Sequence, residues 1–154
     1  MSLASRGPGL ETTFAEIAFG SEDYERERRL RDEVLRRPLG LSLEEEDPAP
    51  EKDQLHFALF DSAREIVACV IAAPISPTEA RIRQMAVSPA QQGKGIGRRL
   101  LEEVECDLRA RGYRHLRLSA RSSAVGFYER LGYETVGEEY VSVTVPHFPM
   151  AKSL

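Results

Sequence analysis

The pattern of apolar and polar residues at the start of the chain predicts a strand followed by a helix. Residues 12–19 alternate between apolar and polar side chains, as a half-buried strand does. A helix is expected next, because Ser21 is a favoured N-cap residue and an apolar stripe continues to about Arg37. Pro38 and Gly40 end this helix.

The middle of the chain predicts a long loop and then three strands. Residues 41–53 are rich in charge and proline, so we expect a surface loop containing at most a helical turn. Residues 55–60 and 65–73 are β-rich and joined by a short turn, which predicts an antiparallel hairpin. Residues 79–87 predict a fourth strand.

The most regular helical pattern covers residues 95–111, and Gly112 ends it. One face of this helix is apolar: Ile96, Leu100, Leu101, Val104 and Leu108. The opposite face carries four i,i+4 charge pairs: Arg98–Glu102, Arg99–Glu103, Glu105–Arg109 and Asp107–Arg111. We therefore expect one buried face and one face in water.

The last third of the chain predicts a strand, a short helix and two more strands. The strand covers residues 115–119, and the helix follows a Ser122 or Ser123 cap. The final strands cover residues 135–144 and about 147–152, broken near Pro146. The element order is then β-α-β-β-β-α-β-α-β-β.

This order defines the fold class as α/β with a mixed sheet. Hairpins require antiparallel neighbours, whereas the helical crossover over residues 95–111 requires a parallel pair. The 154 residues show no interdomain linker, so we expect a single domain over residues 1–154, with residues 1–11 flexible.

Composition excludes several classes of protein. Hydrophobic residues make up 42% and charged residues 30%, a globular balance without an apolar run long enough to span a membrane or a signal-peptide core. The net charge is −4, but residues 81–121 hold 10 basic and 4 acidic side chains. This basic segment indicates a local anion site, while an acidic protein without interleaved aromatics indicates no nucleic acid.

Cysteine and histidine spacing predicts neither disulfides nor a metal site. Cys69 and Cys106 lie far apart in patterned segments, so we expect two reduced, buried thiols in a cytoplasmic protein. The histidines are scattered, and no CxxC or HxxxH spacing occurs, so we expect no metal.

A glycine-rich segment between the fourth strand and the long helix carries the clearest functional signal. Glycines at 93, 95 and 97 allow close approach of a ligand to backbone N–H groups at a helix N-terminus, a setting that suits phosphate. The spacing does not fit a P-loop, since Gly95 follows Lys94 where Ser or Thr is needed. A Rossmann fingerprint also fails, because the spacing is GxGxG in the middle of the chain.

Two motifs resemble those of the GCN5-related N-acetyltransferases (GNATs). Residues 92–97 read Gln-Gly-Lys-Gly-Ile-Gly and resemble the Arg/Gln-x-x-Gly-x-Gly/Ala signature, after a Met-Ala-Val-Ser-Pro segment typical of the preceding strand. Residues 124–133 read Ala-Val-Gly-Phe-Tyr-Glu-Arg-Leu-Gly-Tyr and resemble the second motif, A-x-x-F/L-Y-x-x-x-G-F/Y. The element order is similar to the GNAT fold over residues 12–152, and residues 145–150 resemble a bacterial branch whose substrates are unknown.

The resemblance implies an acetyl-CoA-dependent N-acetyltransferase that acts on a primary amine by direct attack. The fourth and fifth strands would run parallel and diverge around acetyl-CoA, with its pyrophosphate on the glycine loop and a backbone N–H of the fourth strand at the thioester. The implied coenzyme A-binding residues are Met85, Ala86, Val87, Gln92, Gly93, Lys94, Gly95, Ile96, Gly97 and Arg98.

The resemblance also assigns Tyr128 as the group that assists thiolate departure, although its helical spacing fits a core residue equally well. A base is needed because primary amines are mostly protonated at neutral pH. Candidates are His147, Glu79 and the acidic run at 44–47. Arg121 stands where many GNATs have an Asn near the cofactor. Whether Arg121 makes the contact that this Asn usually makes is therefore in question.

Three points remain open at the level of sequence. The runner-up function is a non-catalytic acyl-CoA-binding sensor, and a longer acyl group is a further alternative. The acceptor is a small-molecule or peptide amine, and the acidity of residues 41–53 favours a cationic one unless that loop is merely solvated. Dimers are common in the family, which is compatible with a homodimer. No membrane partner is expected.

Overall fold

A mixed eight-stranded sheet forms the centre of the protein, which is described here by a computed structural model covering residues 10–154. The expected flexibility of residues 1–11 therefore falls largely outside the described residues. The strands are β1 Thr13–Ile17, β2 Leu55–Phe60, β3 Ile66–Pro74, β4 Glu79–Val87, β5 His115–Arg121, β6 Glu134–Thr135, β7 Tyr140–Ser142 and β8 Val145–Ser153. The α-helices are α1 Glu22–Arg31, α2 Ile96–Ala110 and α3 Val125–Arg130.

Short helical turns extend this framework. A π-helical turn, Asp32–Arg36, and a 3-10 turn, Arg37–Leu39, continue α1 almost to the predicted stop. The remaining 3-10 turns are Leu43–Glu45, Ala49–Asp53, Pro89–Gln91 and Ser122–Ala124. The loop predicted at 41–53 thus contains two such turns and no longer element.

The strand order is β1-β2-β3-β4-β5-β8-β6, with β7 also paired to β8. Every neighbouring pair is antiparallel except β4 and β5, which are parallel and joined by α2. The mixed sheet and the parallel fourth and fifth strands confirm the sequence prediction.

Helices cover both faces of the sheet. The apolar stripe of α2 packs on one face, together with α3, over a core that includes Leu59, Ala68, Leu116 and Met150. On the other face α1 packs Tyr24 and Leu30 against sheet residues that include Ala58, Phe60 and Cys69. We refer to these as the α2 face and the α1 face.

The prediction of one strand over residues 135–144 is wrong. The segment instead forms β6 and β7, separated by four residues, and Pro146 lies inside β8, opposite Val141. The β7–β8 turn has positive φ angles at Val143 (44°) and Thr144 (68°). Hairpin turns of that geometry normally use Asn or Gly, so two β-branched residues conceal the turn from sequence patterns.

Two further expectations are corrected by burial. Glu105 does not pair with Arg109 in water; it is buried, accepting hydrogen bonds from Tyr133 Oη (2.7 Å) and Lys152 Nζ (2.8 Å). The other three charge pairs of α2 are present. Cys69 is buried and unpaired as expected, but Cys106 is exposed on the outer side of α2.

Candidate functional site

A split in the sheet between β4 and β5 creates a large opening in the described part of the protein. The two strands pair only from Glu79↔His115 to Ile82↔Leu118, although β4 continues to Val87 and β5 to Arg121. Their parallel pairing is therefore lost after four residue pairs. Backbone groups of β4 beyond Ile82 consequently face a gap on the side where a strand partner would lie.

A β-bulge in β4 coincides with this split. Ile71 pairs with Arg83 and Cys69 with Ala86, so two residues of β4 lie opposite one of β3. Gln84, at the bulge, has φ = 50°, a left-handed conformation that is uncommon for a side chain other than Asn, Asp or Gly. The bulge redirects β4 where the gap opens.

The gap widens into a cleft of about 980 Å³. Of the ten residues that the sequence assigned to coenzyme A, eight line this cleft: Met85, Val87, Gln92, Gly93, Gly95, Ile96, Gly97 and Arg98. Ala86 does not, because its side chain packs on the α1 face, and Lys94 is exposed outside the cleft. The structure thus gathers most of the candidate residues along one wall.

The glycine loop leads into α2 with a helix end suited to an anion. Gly93 and Gly95 have φ of 77° and 80°, which other residues adopt only with strain. A Cβ on Gly97 would lie 3.4 Å from both Phe127 and Val87, so this glycine permits close packing. Among residues 10–154 no side chain caps the N-terminus of α2, so its first N–H groups are open to a ligand.

Tyr128 lies on α3 and lines the same cleft. Its ring makes edge contacts with Phe127 (5.1 Å between centroids) and Tyr133 (5.7 Å). Burial raises the pKa of Tyr128 to about 12. No hydrogen bond from a residue in the described range 10–154 engages its hydroxyl, which leaves the hydroxyl for a ligand.

Of the three proposed bases, only His147 lines the cleft. It is buried on β8, with Nδ1 2.9 Å from the carbonyl oxygen of Val145. That contact places the proton of neutral imidazole on Nδ1, so Nε2 carries the free lone pair. Glu79 instead pairs with Arg117 at the closed end of the split.

The acidic run at 44–47 also stays out of the cleft. Glu44, Glu45 and Asp47 are exposed, and Glu46 pairs with Arg36 at 2.6 Å. Arg121 lines the cleft and donates from Nη2 to the carbonyl oxygen of Leu35 (2.7 Å). It therefore anchors the π-helical turn that follows α1 to β5.

Sequence reasoning missed four arginines that line the cleft: Arg36, Arg130, Arg81 and Arg83. The signal for the last two was present, because an Arg-Ile-Arg pattern in a strand places both arginines on the same face. Arg36 could not be found this way, since the π-helical turn places it and sequence patterns rarely indicate such turns.

A buried ion network lies between α1 and the bulge. Arg31 is fully buried and pairs with Glu51 (2.9 Å) and Glu27 (3.3 Å). Its Nη1 also donates to Oε1 of Gln84 at 2.8 Å. The network thereby connects α1 to the β4 residue whose backbone is bent, and His56 completes it through Glu27 (3.0 Å).

The described residues contain neither a metal-binding cluster nor a membrane-spanning helix. Within residues 10–154 no group of three His, Cys, Asp or Glu side chains is arranged to hold a metal ion. None of the helices found in that range is long and apolar enough to cross a membrane.

A parallel pair that opens at the N-terminus of a glycine-led helix defines a class of coenzyme-binding acyltransferase folds. A family model described as an acetyltransferase (GNAT) domain matches residues 40–154. The chain belongs to the GNAT family, as its two motifs predicted.

Individual relatives agree with this assignment. An uncharacterized N-acetyltransferase of Chlorobaculum tepidum is 32% identical over 84 residues, which cover 54% of this chain and 53% of the relative. The chain thus matches about half the length of such curated relatives.

Solved structures share the fold over nearly the full length. An aminoglycoside 6′-N-acetyltransferase complexed with coenzyme A has a TM-score of 0.75 and 18% identity, covering 92% of this chain and 96% of its own. The ribosomal-protein-S18-alanine N-acetyltransferase of Escherichia coli has a TM-score of 0.74 and 21% identity, covering 93% and 94%.

Proposed function

We propose that the protein transfers the acetyl group of acetyl-CoA directly to a primary amine, within a single GNAT domain. The observation that carries this proposal is the split between β4 and β5, opening at the glycine loop and the uncapped start of α2. A structural neighbour with coenzyme A bound supports the same cosubstrate. The non-catalytic alternative has no observation of its own in its favour.

The glycine loop would hold the pyrophosphate. The N–H groups from Gly95 to Arg98 form the N-terminus of α2, where they lack intrahelical partners and the helix dipole favours negative charge. Arg98 adds a cationic side chain at the rim, although it also pairs with Glu102 at 3.2 Å. Most of the affinity would therefore come from backbone, which explains why glycines matter more here than side chains.

The strand segment from Met85 to Val87 would hold the reactive end. Its backbone faces the gap, and an N–H there can donate to the thioester carbonyl and to the oxyanion that forms from it. Met85 and Val87 also pack into the core, so the same residues fix the backbone and present it.

Tyr128 would stabilise the leaving thiolate. With its pKa at about 12, complete proton transfer to a thiolate of pKa about 8.5 is uphill by roughly 5 kcal/mol. A hydrogen bond that strengthens as the C–S bond breaks is the better description of its role. The thiolate then takes its proton from solvent.

His147 would accept the proton of the attacking amine. The nitrogen lone pair attacks the carbonyl carbon, the C–S bond breaks, and the amine proton passes to Nε2, directly or through one water. The Val145 carbonyl holds the ring in the tautomer that this step requires.

The test is amine-dependent release of free thiol from acetyl-CoA, with the acetylated amine identified by mass spectrometry. Direct attack predicts no acetylated protein when the amine is omitted. His147→Gln should lower kcat and leave coenzyme A affinity nearly unchanged. Coenzyme A binding without turnover across a broad amine panel would instead support the sensor function.

A further inference from the structure

We propose that the acceptor amine carries an anionic group, a carboxylate or a phosphate, which Arg83 and Arg121 bind on the α1 face of the cleft. This inference rests on the proposed function and names the substrate class of the same site. It reverses the expectation of a cationic acceptor that the acidic loop suggested.

Among the described residues, every Asp, Glu, Lys or Arg that lines the cleft is an arginine. Six arginines line it and no Asp or Glu does: Arg36, Arg81, Arg83, Arg98, Arg121 and Arg130. Arg98 belongs to the glycine-loop end, where the pyrophosphate would neutralise positive charge. Arg83 and Arg121 lie away from this end of the cleft and would need a different anion to balance their charge.

Strand alternation separates these two groups of arginines. Ile82, Leu118 and Ala120 face the α2 core, so Arg83 and Arg121 point to the opposite, α1 face. The glycine loop and α3 lie on the α2 face. A cofactor entering from the α2 face would leave the α1 face for the acceptor, which therefore meets the arginines.

Arg83 and Arg121 have polar neighbours but no carboxylate partner in the described part of the chain. Arg83 donates to Gln54 Oε1 (2.7 Å), and Arg121 donates to the Leu35 carbonyl. Arg36 does have a partner, Glu46, and so contributes less net charge.

The surroundings of Arg83 and Arg121 disfavour the positive charges of these side chains as long as no anion is bound. Burial lowers the pKa of Arg83; the charge of Glu51 partly opposes this, and the charges of Arg31 and Arg36 add to it. Burial likewise lowers the pKa of Arg121, as does Arg36. Guanidinium groups bind carboxylate and phosphate with paired hydrogen bonds, so an anionic acceptor relieves this repulsion.

The same charges disfavour an acceptor that is only cationic. A protonated amine would be repelled by the arginines, whereas the anionic group of an amino acid or amino phosphate offsets that repulsion. The arginines would also favour the neutral form of the amine, which is the nucleophile.

The experiment measures binding to protein saturated with coenzyme A, where no acetyl transfer can occur. Calorimetry compares amino acids with their amides and phosphoethanolamine with ethanolamine. We expect at least one anionic member to bind about tenfold more tightly than its neutral partner, as the loss of a charge-assisted hydrogen bond implies. The two arms distinguish carboxylate from phosphate.

Variants then locate the effect. Arg83→Gln and Arg121→Gln should remove the preference for the anionic member, while Arg83→Lys retains part of it. Arg117→Gln is the matched control, because Arg117 also lies on the α1 face but pairs with Glu79 outside the cleft. Urea unfolding checks that each variant is folded.

Equal binding of both members in every pair, or a preference that survives both Gln variants, would overturn the inference. Failure of the proposed function looks different: either coenzyme A would not bind in the first step, or no amine of the panel would release free thiol from acetyl-CoA.

Discussion

Tyr128 illustrates how burial changes the role of a single side chain. Its hydroxyl lies at the cleft with a pKa of about 12 and without a protein hydrogen bond in the described residues. Sequence spacing fits a catalytic residue and a core residue equally well, and only its position beside the split supports the first.

Replacing Tyr128 by Phe tests this role. We expect kcat to fall about 10²-fold, the usual range for acid–base groups, with coenzyme A affinity nearly unchanged. Stability should also change little, because no protein hydrogen bond is lost. Single-turnover kinetics, calorimetry and a melting curve on the same variant provide the measurements, and normal turnover by a folded variant would leave Tyr128 as a core residue.

His56 gives a pH-dependent contribution to stability. Its Nδ1 faces Glu27 at 3.0 Å and its Nε2 faces the Glu51 carbonyl at 2.9 Å. A neutral ring has a single N–H, so both bonds require the imidazolium form. Burial opposes this charge, but the bonds to Glu27 and Glu51 outweigh it and raise the pKa of His56 above 6.5.

The sign of the effect follows from the raised pKa. The stabilisation is complete below the unfolded pKa of about 6.5 and is lost as pH rises through the folded pKa, at about 1.4 kcal/mol per unit of difference. The free energy of unfolding of the wild type, compared with His56→Gln, should therefore fall between pH 6 and pH 9. A difference that is constant across urea titrations in this range would show that His56 is neutral in the folded protein.

The glycine loop is the element whose function depends most on backbone conformation. We expect Gly95→Asp to weaken coenzyme A binding at least tenfold relative to Gly95→Asn. Both side chains tolerate φ = 80° comparably, but only Asp adds negative charge beside the phosphates. Calorimetry measures the ratio, and equal affinities of the two folded variants would remove this loop from the site.

Elements with a regular apolar pattern were predictable almost to the residue. β2 and β4 have the bounds that the sequence indicated, and α2 differs by one residue at each end. Patterns failed where long-range packing decides the outcome. Glu105 is buried because Tyr133 and Lys152, far along the chain, supply its hydrogen bonds, and a local i,i+4 pattern contains no information about them.

The candidate site was predictable to a similar degree. The glycine loop and Tyr128 came from motifs, whereas Gln84 came from none, because a glutamine with φ = 50° gives no sequence signal of a bulge. Arg31 holds that glutamine from α1, a contact across 53 positions. The part of the site formed by tertiary contacts therefore required the structure.

At the scale of the whole molecule, the arginines of the basic segment 81–121 point to two different parts of the cleft. The fold directs Arg98 toward the glycine loop and Arg83 and Arg121 toward the opposite face. The sequence indicated one anion site from net charge alone, since charge counts contain no direction. Under the proposals made above, strand alternation would divide the segment into a cofactor end and an acceptor end.

The four-pair ladder between β4 and β5 is also the only strand pairing that joins two halves of the described sheet, β1–β4 and β5–β8. Amide protons of residues 83–87 that point into the gap should exchange rapidly with deuterium in the free protein. Coenzyme A should slow their exchange, and amides at the β2–β3 centre should not respond. Bound coenzyme A would then hold the two halves of the sheet together. In the free protein, local unfolding should begin at the β4–β5 pairing before it affects the rest of the sheet.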